Sequence, residues 1–204
     1  MYLEKLAPLA IFAVVASITP GPNNLMLMSS GTLFGIRKTL PHVFGVVFGF
    51  VSLLATAVFG VAQAIVLVPE AMMGLKIAGA CWLGWLAFQF FKASMNSASM
   101  SSKVGTKSRP LSFVQAFGFQ WANPKALVNA ISCAGAFAAI GHSPLQNVAI
   151  MGGVFLLVGL STSLLWAYMG HVLQRLLCGE KHAAWLNLIM ALLIMLTAIM
   201  ILFV

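Results

Sequence analysis

The sequence predicts an all-α integral membrane protein with six transmembrane helices, arranged as two inverted three-helix repeats. Three observations predict this fold: the composition, the spacing of the apolar stretches, and a pair of matching helix breaks. Of the 204 residues, 61% are hydrophobic and 7% are charged, and the mean hydropathy is +1.02. Soluble domains are about 45–50% apolar and about 25% charged, so a soluble fold would lack the polar side chains to cover its surface.

The composition also argues against two other classes of protein. Three cysteines are an odd number in a chain too long for a secreted disulfide scaffold. The net charge is +8, but the basic residues do not lie together on one amphipathic face, as nucleic-acid binding requires. We therefore expect membrane lipid and no nucleic acid as partner, and a single transmembrane domain over residues 1–204.

Six apolar stretches follow one another along the chain, with enough apolar residues for about six helices of ~20 residues. One repeat covers about 1–91 and the other about 111–204. Between them lies the only long hydrophilic segment, about 92–110, which is rich in Ser and basic residues and predicts a flexible cytoplasmic loop. The six stretches are about 6–30, 43–68, 71–91, 111–140, 148–170 and 183–204.

Short polar or turn-forming segments separate these stretches. Residues 37–41, with two basic residues and a proline, divide the first stretch from the second, and Pro69 with Glu70 divides the second from the third. Gly141 to Pro144 turns the chain between the fourth and fifth stretches. A basic link that holds Arg175 and Lys181 precedes the sixth.

The basic residues are distributed unequally between the two predicted sides of the membrane. Loops on the side opposite the N-terminus hold eight of the eleven Lys and Arg residues, whereas the N-terminal side holds Lys5 alone. Cytoplasmic loops carry the excess of positive charge. The sequence therefore predicts that the basic side is cytoplasmic and that both termini are periplasmic or extracellular. Lys76 and Lys125 fall inside predicted spans.

Two predicted spans are interrupted by a capping residue followed by proline: Thr19-Pro20 in the first span and Asn123-Pro124 in the fourth. Thr and Asn cap helix N-termini, and proline is favoured at the first helical position but breaks a helix interior. Each motif therefore predicts a half-helix that begins inside the span. Because each repeat holds three spans, the second is inverted, and both breaks fall near the middle of the bilayer.

Two half-helix N-termini at this depth predict a substrate-binding cavity. Their free N–H groups carry partial positive charge, and paired interrupted helices are the best indication in a sequence of a transporter site. An anion, or a zwitterion with a carboxylate, suits such a cavity. The predicted substrate-binding residues are Thr19, Pro20, Gly21, Pro22, Asn23, Asn24, Gln120, Asn123, Pro124 and Lys125.

Lys125 is the only basic residue deep inside a predicted span, and an ionisable group there is functional by default. It can bind a substrate carboxylate or carry an exchanged proton. The three glutamates lie at or outside the span boundaries, which argues against a buried carboxylate as proton carrier and against a hard metal ion. We predict no metal and no cofactor. His42 and His171, near the cytoplasmic ends of two spans, are expected to pack at the interface.

Glycines recur four residues apart at Gly31 and Gly35 and at Gly45 and Gly49. This spacing lets transmembrane helices approach closely. It predicts packing inside one helix bundle, with a homodimer as the alternative use.

Three motifs lie at a characteristic spacing: Thr-Pro-Gly-Pro-Asn at 19–23, Gly35 followed by Arg37, and Asn-Pro-Lys-Ala at 123–126. Together with the length, the six spans and the basic central loop, they resemble the lysine exporter (LysE/RhtB) family of bacterial amino-acid exporters. The resemblance implies a transporter, not an enzyme. Such a protein would export amino acids or close derivatives across the bacterial inner membrane by exchange with protons.

One position departs from that family's pattern. Many members carry Asp directly after Pro-Gly-Pro, where this chain has Asn23, and this argues against cationic substrates. Asn23-Asn24, Gly170-His171 and Gln174-Arg175 are most similar to the cysteine and O-acetylserine exporter subgroup. The similarity implies a small neutral amino acid as substrate.

A six-span membrane thiol–disulfide electron carrier is the alternative function with the same architecture. It needs a reactive cysteine pair in the first and fourth spans, within disulfide reach. Here Cys81 lies in the third span and Cys133 lies nine residues after Pro124, while the first span has no cysteine. Cysteine placement therefore disfavours this alternative. Hydrolase motifs such as His-Glu-x-x-His and Gly-x-Ser-x-Gly are also absent from the sequence.

Overall fold

The structure is a computed structural model that describes residues 2–60, 68–97 and 109–176, and positions scattered between 184 and 199. All regular structure in these residues is helical, which confirms the all-α prediction. The helices are α1 Tyr2–Ile18, α2 Pro22–Phe34, α3 Ile36–Val58, α4 Pro69–Ser97, α5 Phe113–Ala122, α6 Pro124–Ala136 and α7 Pro144–Leu176.

Two described helices are long and apolar enough to cross a membrane alone: Ile36–Val58, with mean hydropathy 1.9, and Pro144–Leu173, with 2.2. The pair Lys5–Ile18 and Pro22–Phe34 meets the same criterion as one broken span, bent by 60°. These correspond to the second, fifth and first predicted stretches. Six spans in two inverted repeats stay a prediction, and most of the sixth stretch lies outside the described residues.

Several helix boundaries differ from the predicted ones, because hydropathy detects apolar runs and not helix ends: polar residues can continue a helix, and an apolar run can contain a turn. α3 begins at Ile36, so residues 37–41 are helical and not a connecting segment. The same helix ends at Val58, ten residues before the predicted boundary. α4 continues to Ser97, past the predicted boundary at 91. Residues 98–108 of the predicted cytoplasmic loop lie outside the described residues.

α3 is the central helix, and it packs against α2, α5, α6 and α7. A Cβ added at Gly45 would lie 2.4 Å from the Phe113 carbonyl oxygen, and one added at Gly49 would lie 2.7 Å from the Phe117 carbonyl oxygen. These glycines therefore bring the backbones of α3 and α5 into contact. The predicted use of this pair inside the bundle is confirmed.

α2 and α7 approach even more closely. A Cβ at Gly31 would lie 2.0 Å from the Ala167 carbonyl oxygen, and one at Gly170 would lie 1.8 Å from the Met28 carbonyl oxygen. The partner of Gly31 in packing is thus α7. Gly35 instead joins α2 to α3 with φ of 75°, a left-handed conformation that favours glycine.

Two groups of buried apolar side chains lie along opposite halves of α3. The first core joins the C-terminal half of α3 to α1, α6 and the start of α7. The second core joins the N-terminal half of α3 to α2, α5 and the end of α7. The helix breaks lie between them. The first core includes Leu9, Ala13, Leu53, Leu54, Leu127, Ala130 and Met151, and the second consists of Leu27, Val43, Val46, Ala116 and Ala167.

Candidate functional site

The first helix break covers residues 19–21, between the end of α1 and the start of α2 at Pro22. The predicted half-helix start, with Thr19 as N-cap and Pro20 as first residue, is wrong by two residues. The residue before a proline disfavours helical backbone, so Gly21 is extended (φ −173°, ψ 178°) and becomes the N-cap before Pro22. The Thr19 hydroxyl instead donates to the Val15 carbonyl in the last turn of α1.

Asn24 connects the two sides of this break. Its Nδ2 donates to the Ser17 carbonyl at 2.8 Å and to the Thr19 carbonyl at 2.9 Å. The final carbonyl groups of a helix have no partners within the helix. Asn24 supplies partners at the end of α1 and thereby ties the first turn of α2 to it.

The second break lies at Asn123, between α5 and α6. Asn123 is the N-cap, its Oδ1 accepts a hydrogen bond from the Lys125 backbone N–H at 3.2 Å, and Pro124 is the first helical residue. This is the predicted arrangement, and it is confirmed.

The two breaks are bonded directly to each other, although they lie half a chain apart in sequence. Asn23 Nδ2 donates to Gln120 Oε1 at 2.7 Å. Lys125 Nζ donates to the carbonyl oxygen of Thr19 and lies 3.5 Å from that of Pro20. Gln120 is buried, and its own amide donates to the Ala116 carbonyl at 3.2 Å. The fold therefore brings both predicted motifs into one site.

Lys125 holds its ammonium group at the C-terminal end of α1, where backbone carbonyls carry partial negative charge. Its side chain passes over Gly21, at which an added Cβ would lie 2.9 Å from Lys125 Cδ. Lys5, in the first turns of α1, makes the same kind of bond at the opposite end, from Nζ to the Ala139 carbonyl at 2.7 Å. Lys5, near the start of α1, thus bonds to the turn that follows α6, and Lys125, near the start of α6, bonds to the segment that follows α1.

A cavity of about 70 Å³ opens at the two breaks. One water requires about 10–15 Å³ measured in the same way, so the cavity has room for a small solute. The predicted site residues that line it are Gly21, Pro22, Asn23, Asn24, Gln120, Asn123 and Lys125. Thr19, Pro20 and Pro124 do not line it. They shape the breaks, and the first two present their carbonyls to Lys125.

The sequence prediction missed the walls that α3 and α7 contribute. The apolar wall contains Val46, Val47, Phe50 and Phe155, and nothing distinguishes these from other apolar residues in the sequence. The polar wall contains Thr162 and Ser163, both buried. These two residues could have been predicted from the sequence, because the run of hydroxyl side chains at 161–163 interrupts the fifth apolar stretch.

The lining presents one charged group and several uncharged polar ones. Lys125 is the charged residue among the described residues that line it, and the amides come from Asn23, Asn24, Asn123, Asn129 and Gln120. Asn23 Oδ1 is buried and has no hydrogen-bond partner among the described residues, so it is an open acceptor. An ammonium beside an open acceptor matches the carboxylate and amino groups of a zwitterion.

The described cysteines lie away from the cavity. Cys133 is buried in the first core, with Sγ 3.5 Å from Met151 Sδ, and Cys81 is exposed on α4. Both are free thiols. Neither is positioned for exchange of electrons at the breaks.

Comparison with known proteins gives two findings. The sequence model of the LysE type translocator family matches residues 14–203 of this chain. The chain is also 26% identical over 189 residues to cysteine/O-acetylserine efflux proteins of Escherichia coli (strain K12) and Shigella flexneri serotype 5b (strain 8401), an alignment that covers 92% of this chain and 92% of each relative. No solved structure gives a significant match.

Proposed function

This chain belongs to the LysE type translocator family and is a membrane transporter, not an enzyme, and we propose that it exports small neutral amino acids or close derivatives from the bacterial cytoplasm in exchange for protons. The observation that carries the proposal is the cavity at the two helix breaks, which combines one ammonium group with uncharged amides. These groups support a small neutral amino acid as the class of substrate.

In this proposal the substrate carboxylate binds at Lys125, beside the N-terminal turns of α2 and α6. Half-helix N-termini favour anions, and the Lys125 ammonium is the charged group of the cavity. The substrate amino group binds at the open acceptor Asn23 Oδ1. To bind a carboxylate, Lys125 has to leave or share the carbonyl of Thr19.

The remaining walls favour a short side chain. Val46, Phe50 and Phe155 supply apolar surface, and Thr162 and Ser163 supply hydroxyls. The space is small, and none of the described residues that line it is acidic, so none can receive a second ammonium group as a carboxylate would. The relatives named as efflux proteins for cysteine and O-acetylserine support the same class.

The proposal includes the predicted topology. Six spans in two inverted repeats, both termini outside and an inner-membrane location place the cavity between the two repeats. Exchange then proceeds by rocking of the repeats around the cavity, as in other transporters with broken helices. The excess of Lys and Arg on one side supports the orientation.

Uptake into inside-out membrane vesicles tests the function directly. Labelled L-cysteine, O-acetyl-L-serine, L-serine, L-alanine and L-lysine are offered with and without an acidic vesicle interior. We expect uptake of the small neutral compounds, faster with the pH gradient, and little uptake of lysine. Absence of uptake for every compound, or a preference for lysine, would contradict the proposal. Uptake should survive replacement of all three cysteines by serine, and its loss would favour the thiol–disulfide alternative.

Asn23→Asp should shift substrate choice towards lysine. A carboxylate at this position still accepts from the α-ammonium group that all the substrates share, and it adds a second charged oxygen that can accept a charge-assisted hydrogen bond from the side-chain ammonium group of lysine. A gain of about 1.5 kcal/mol would raise the ratio of lysine to L-cysteine uptake about tenfold. Asn129→Asp, which adds the same charge elsewhere in the cavity lining, should give a smaller change. Equal ratios in the two variants would show that Asn23 has no special position.

A further inference from the structure

His42 is a buried titratable side chain that the proposed site does not use. It lies on α3 with 1% of its surface exposed. Neither Nδ1 nor Nε2 has a hydrogen-bond partner among the described residues. The neighbouring helices cover His42 completely, so it packs inside the helix bundle. Buried polar groups are nearly always paired, so an unpaired imidazole requires an explanation.

The position of His42 relates it to the cavity. Val46 lies one helical turn further along the same face of α3, and Val46 lines the cavity while also belonging to the second core. His42 therefore lies beyond the cavity, towards the predicted cytoplasmic side. Val43, the residue that follows His42, belongs with Val46 and Leu27 to the second core.

Other buried polar groups accompany His42 at this level. Thr39, one turn earlier on α3, pairs its hydroxyl with that of Ser30 on α2 at 2.9 Å. The neighbouring Ser29 Oγ is buried without a partner among the described residues. The junction of α2 and α3 thus holds more hydrogen-bonding capacity than this structure uses, which suits a region that water enters in another conformation.

The elements packed against α3 bring few titratable groups. α2 and α5 contain none, α6 contains Lys125 and Cys133, and α7 contains Tyr168, His171 and Arg175. On α3 itself Arg37 and Lys38 precede His42, and both are exposed. No acidic side chain belongs to these helices, so none of the described elements packed against α3 offers His42 a carboxylate.

We propose that His42 binds the proton that is exchanged for the substrate, an inference that rests on the proposed transport function. A proton that enters from outside through the cavity adds to a ring nitrogen of neutral His42. The resulting charge, unpaired and enclosed, disfavours the closed arrangement and favours one in which water reaches the junction of α2 and α3. There His42 releases the proton to the cytoplasm before the amino acid binds. One proton enters for each amino acid molecule that leaves.

The test compares His42→Gln with His171→Gln in inside-out vesicles, with L-cysteine as the probe and the membrane potential held at zero. His171 is a matched control because it is a histidine on α7, half-buried and with an unpartnered Nδ1 among the described residues. Two rates are measured: exchange of labelled for unlabelled L-cysteine at equal pH, and accumulation driven by an acidic vesicle interior.

With a gradient of about one pH unit, one proton per substrate sustains about a tenfold accumulation. The wild type and His171→Gln should accumulate L-cysteine and exchange it. His42→Gln should retain exchange within about twofold of the wild-type rate and show no accumulation. The proton-binding role would be overturned if His42→Gln still accumulates L-cysteine. It would also be overturned if the variant loses both exchange and accumulation. Absence of L-cysteine exchange in the wild type would instead contradict the proposed substrate class.

A second measurement needs no substrate. The full chain, labelled with ¹⁵N-histidine and placed in lipid nanodiscs, contains four histidines, and His42→Gln assigns one signal by its loss. We expect the His42 signal to change from the neutral to the charged form as the pH is lowered while the protein stays folded. An imidazole that stays neutral until the protein unfolds would overturn the proposal, even if transport has not been detected.

Discussion

Lys125→Ala should lower the rate of amino-acid uptake into inside-out vesicles at least about tenfold. The Lys125 ammonium is the charged group of the cavity, and a hydrogen bond to a charged group contributes about 1.5–3 kcal/mol, or roughly 10–150-fold. Lys125→Arg should recover only part of the rate. The planar guanidinium keeps the charge but differs in shape from the ammonium that lies over Gly21.

Lys5→Ala is the matched control for this prediction. Lys5 also donates from Nζ to a carbonyl at a helix end, that of Ala139, but it lies outside the cavity. Because this lysine is exposed, the loss of its bond should have little effect on stability or uptake. Equal uptake by the Lys125 and Lys5 variants would remove Lys125 from the substrate site.

Gly170→Ala should destabilise the protein more than any other single methyl addition discussed here. The new Cβ would lie 1.8 Å from the Met28 carbonyl oxygen and 2.9 Å from Thr32 Oγ1. Since the nearest atom belongs to the backbone of α2, the two helices must separate, and overpacking of this kind costs about 1–3 kcal/mol or more. The hydrogen bond from Thr32 to the Gly170 carbonyl, now 2.9 Å, should also weaken. A fall of several degrees in Tm is expected for a chain of this length.

Thermal unfolding of the purified protein in detergent, followed by tryptophan fluorescence, measures this effect. Gly153→Ala makes the same chemical change on the same helix, but no described atom of another helix lies within 4 Å of its added Cβ. Its Tm should stay unchanged or rise slightly, because Ala favours helix more than Gly does. If both variants unfold at the wild-type temperature, α2 and α7 are not in backbone contact at Gly170.

The sequence predicts the second helix break to the residue but places the start of α2 two residues early. At Asn123-Pro124 a capping side chain directly precedes one proline, so one start is available. At the first break two prolines compete, and the restriction on the residue before Pro22 decides between them. In both motifs the residues next to the proline determine where the helix starts. The start at Asn123-Pro124 can be predicted from one proline, whereas the start of α2 depends on the combined backbone restrictions of Pro20 and Pro22.

The candidate site shows a different limit. Residues next to a break, such as Asn23 and Lys125, can be predicted because the proline motif that marks the break is visible in the sequence. The wall from α3, including Val46 and Phe50, depends on how distant helices pack, and no local pattern records that. The same limit applies to Gly31, which was paired with its near neighbour Gly35 but contacts α7. Spacing predicts that a glycine packs closely, while the identity of its partner comes from the tertiary structure.

The way Asn24 joins α1 to α2 has a consequence for how readily the protein changes shape. Between Ile18 and Pro22 the chain has no continuous helical hydrogen bonding, and two Asn24 side-chain bonds span the 60° bend. A change in the bend angle can therefore break the two Asn24 bonds, at about 0.5–1.5 kcal/mol per bond, without unwinding a turn of either helix. The segment at the bend is therefore more flexible than the two helices that it joins. The two Asn24 bonds together cost only a few multiples of thermal energy to break, and the bonds that join this break to Lys125 and Gln120 add to that cost. Hinge motions of this kind take place on the microsecond-to-millisecond timescale.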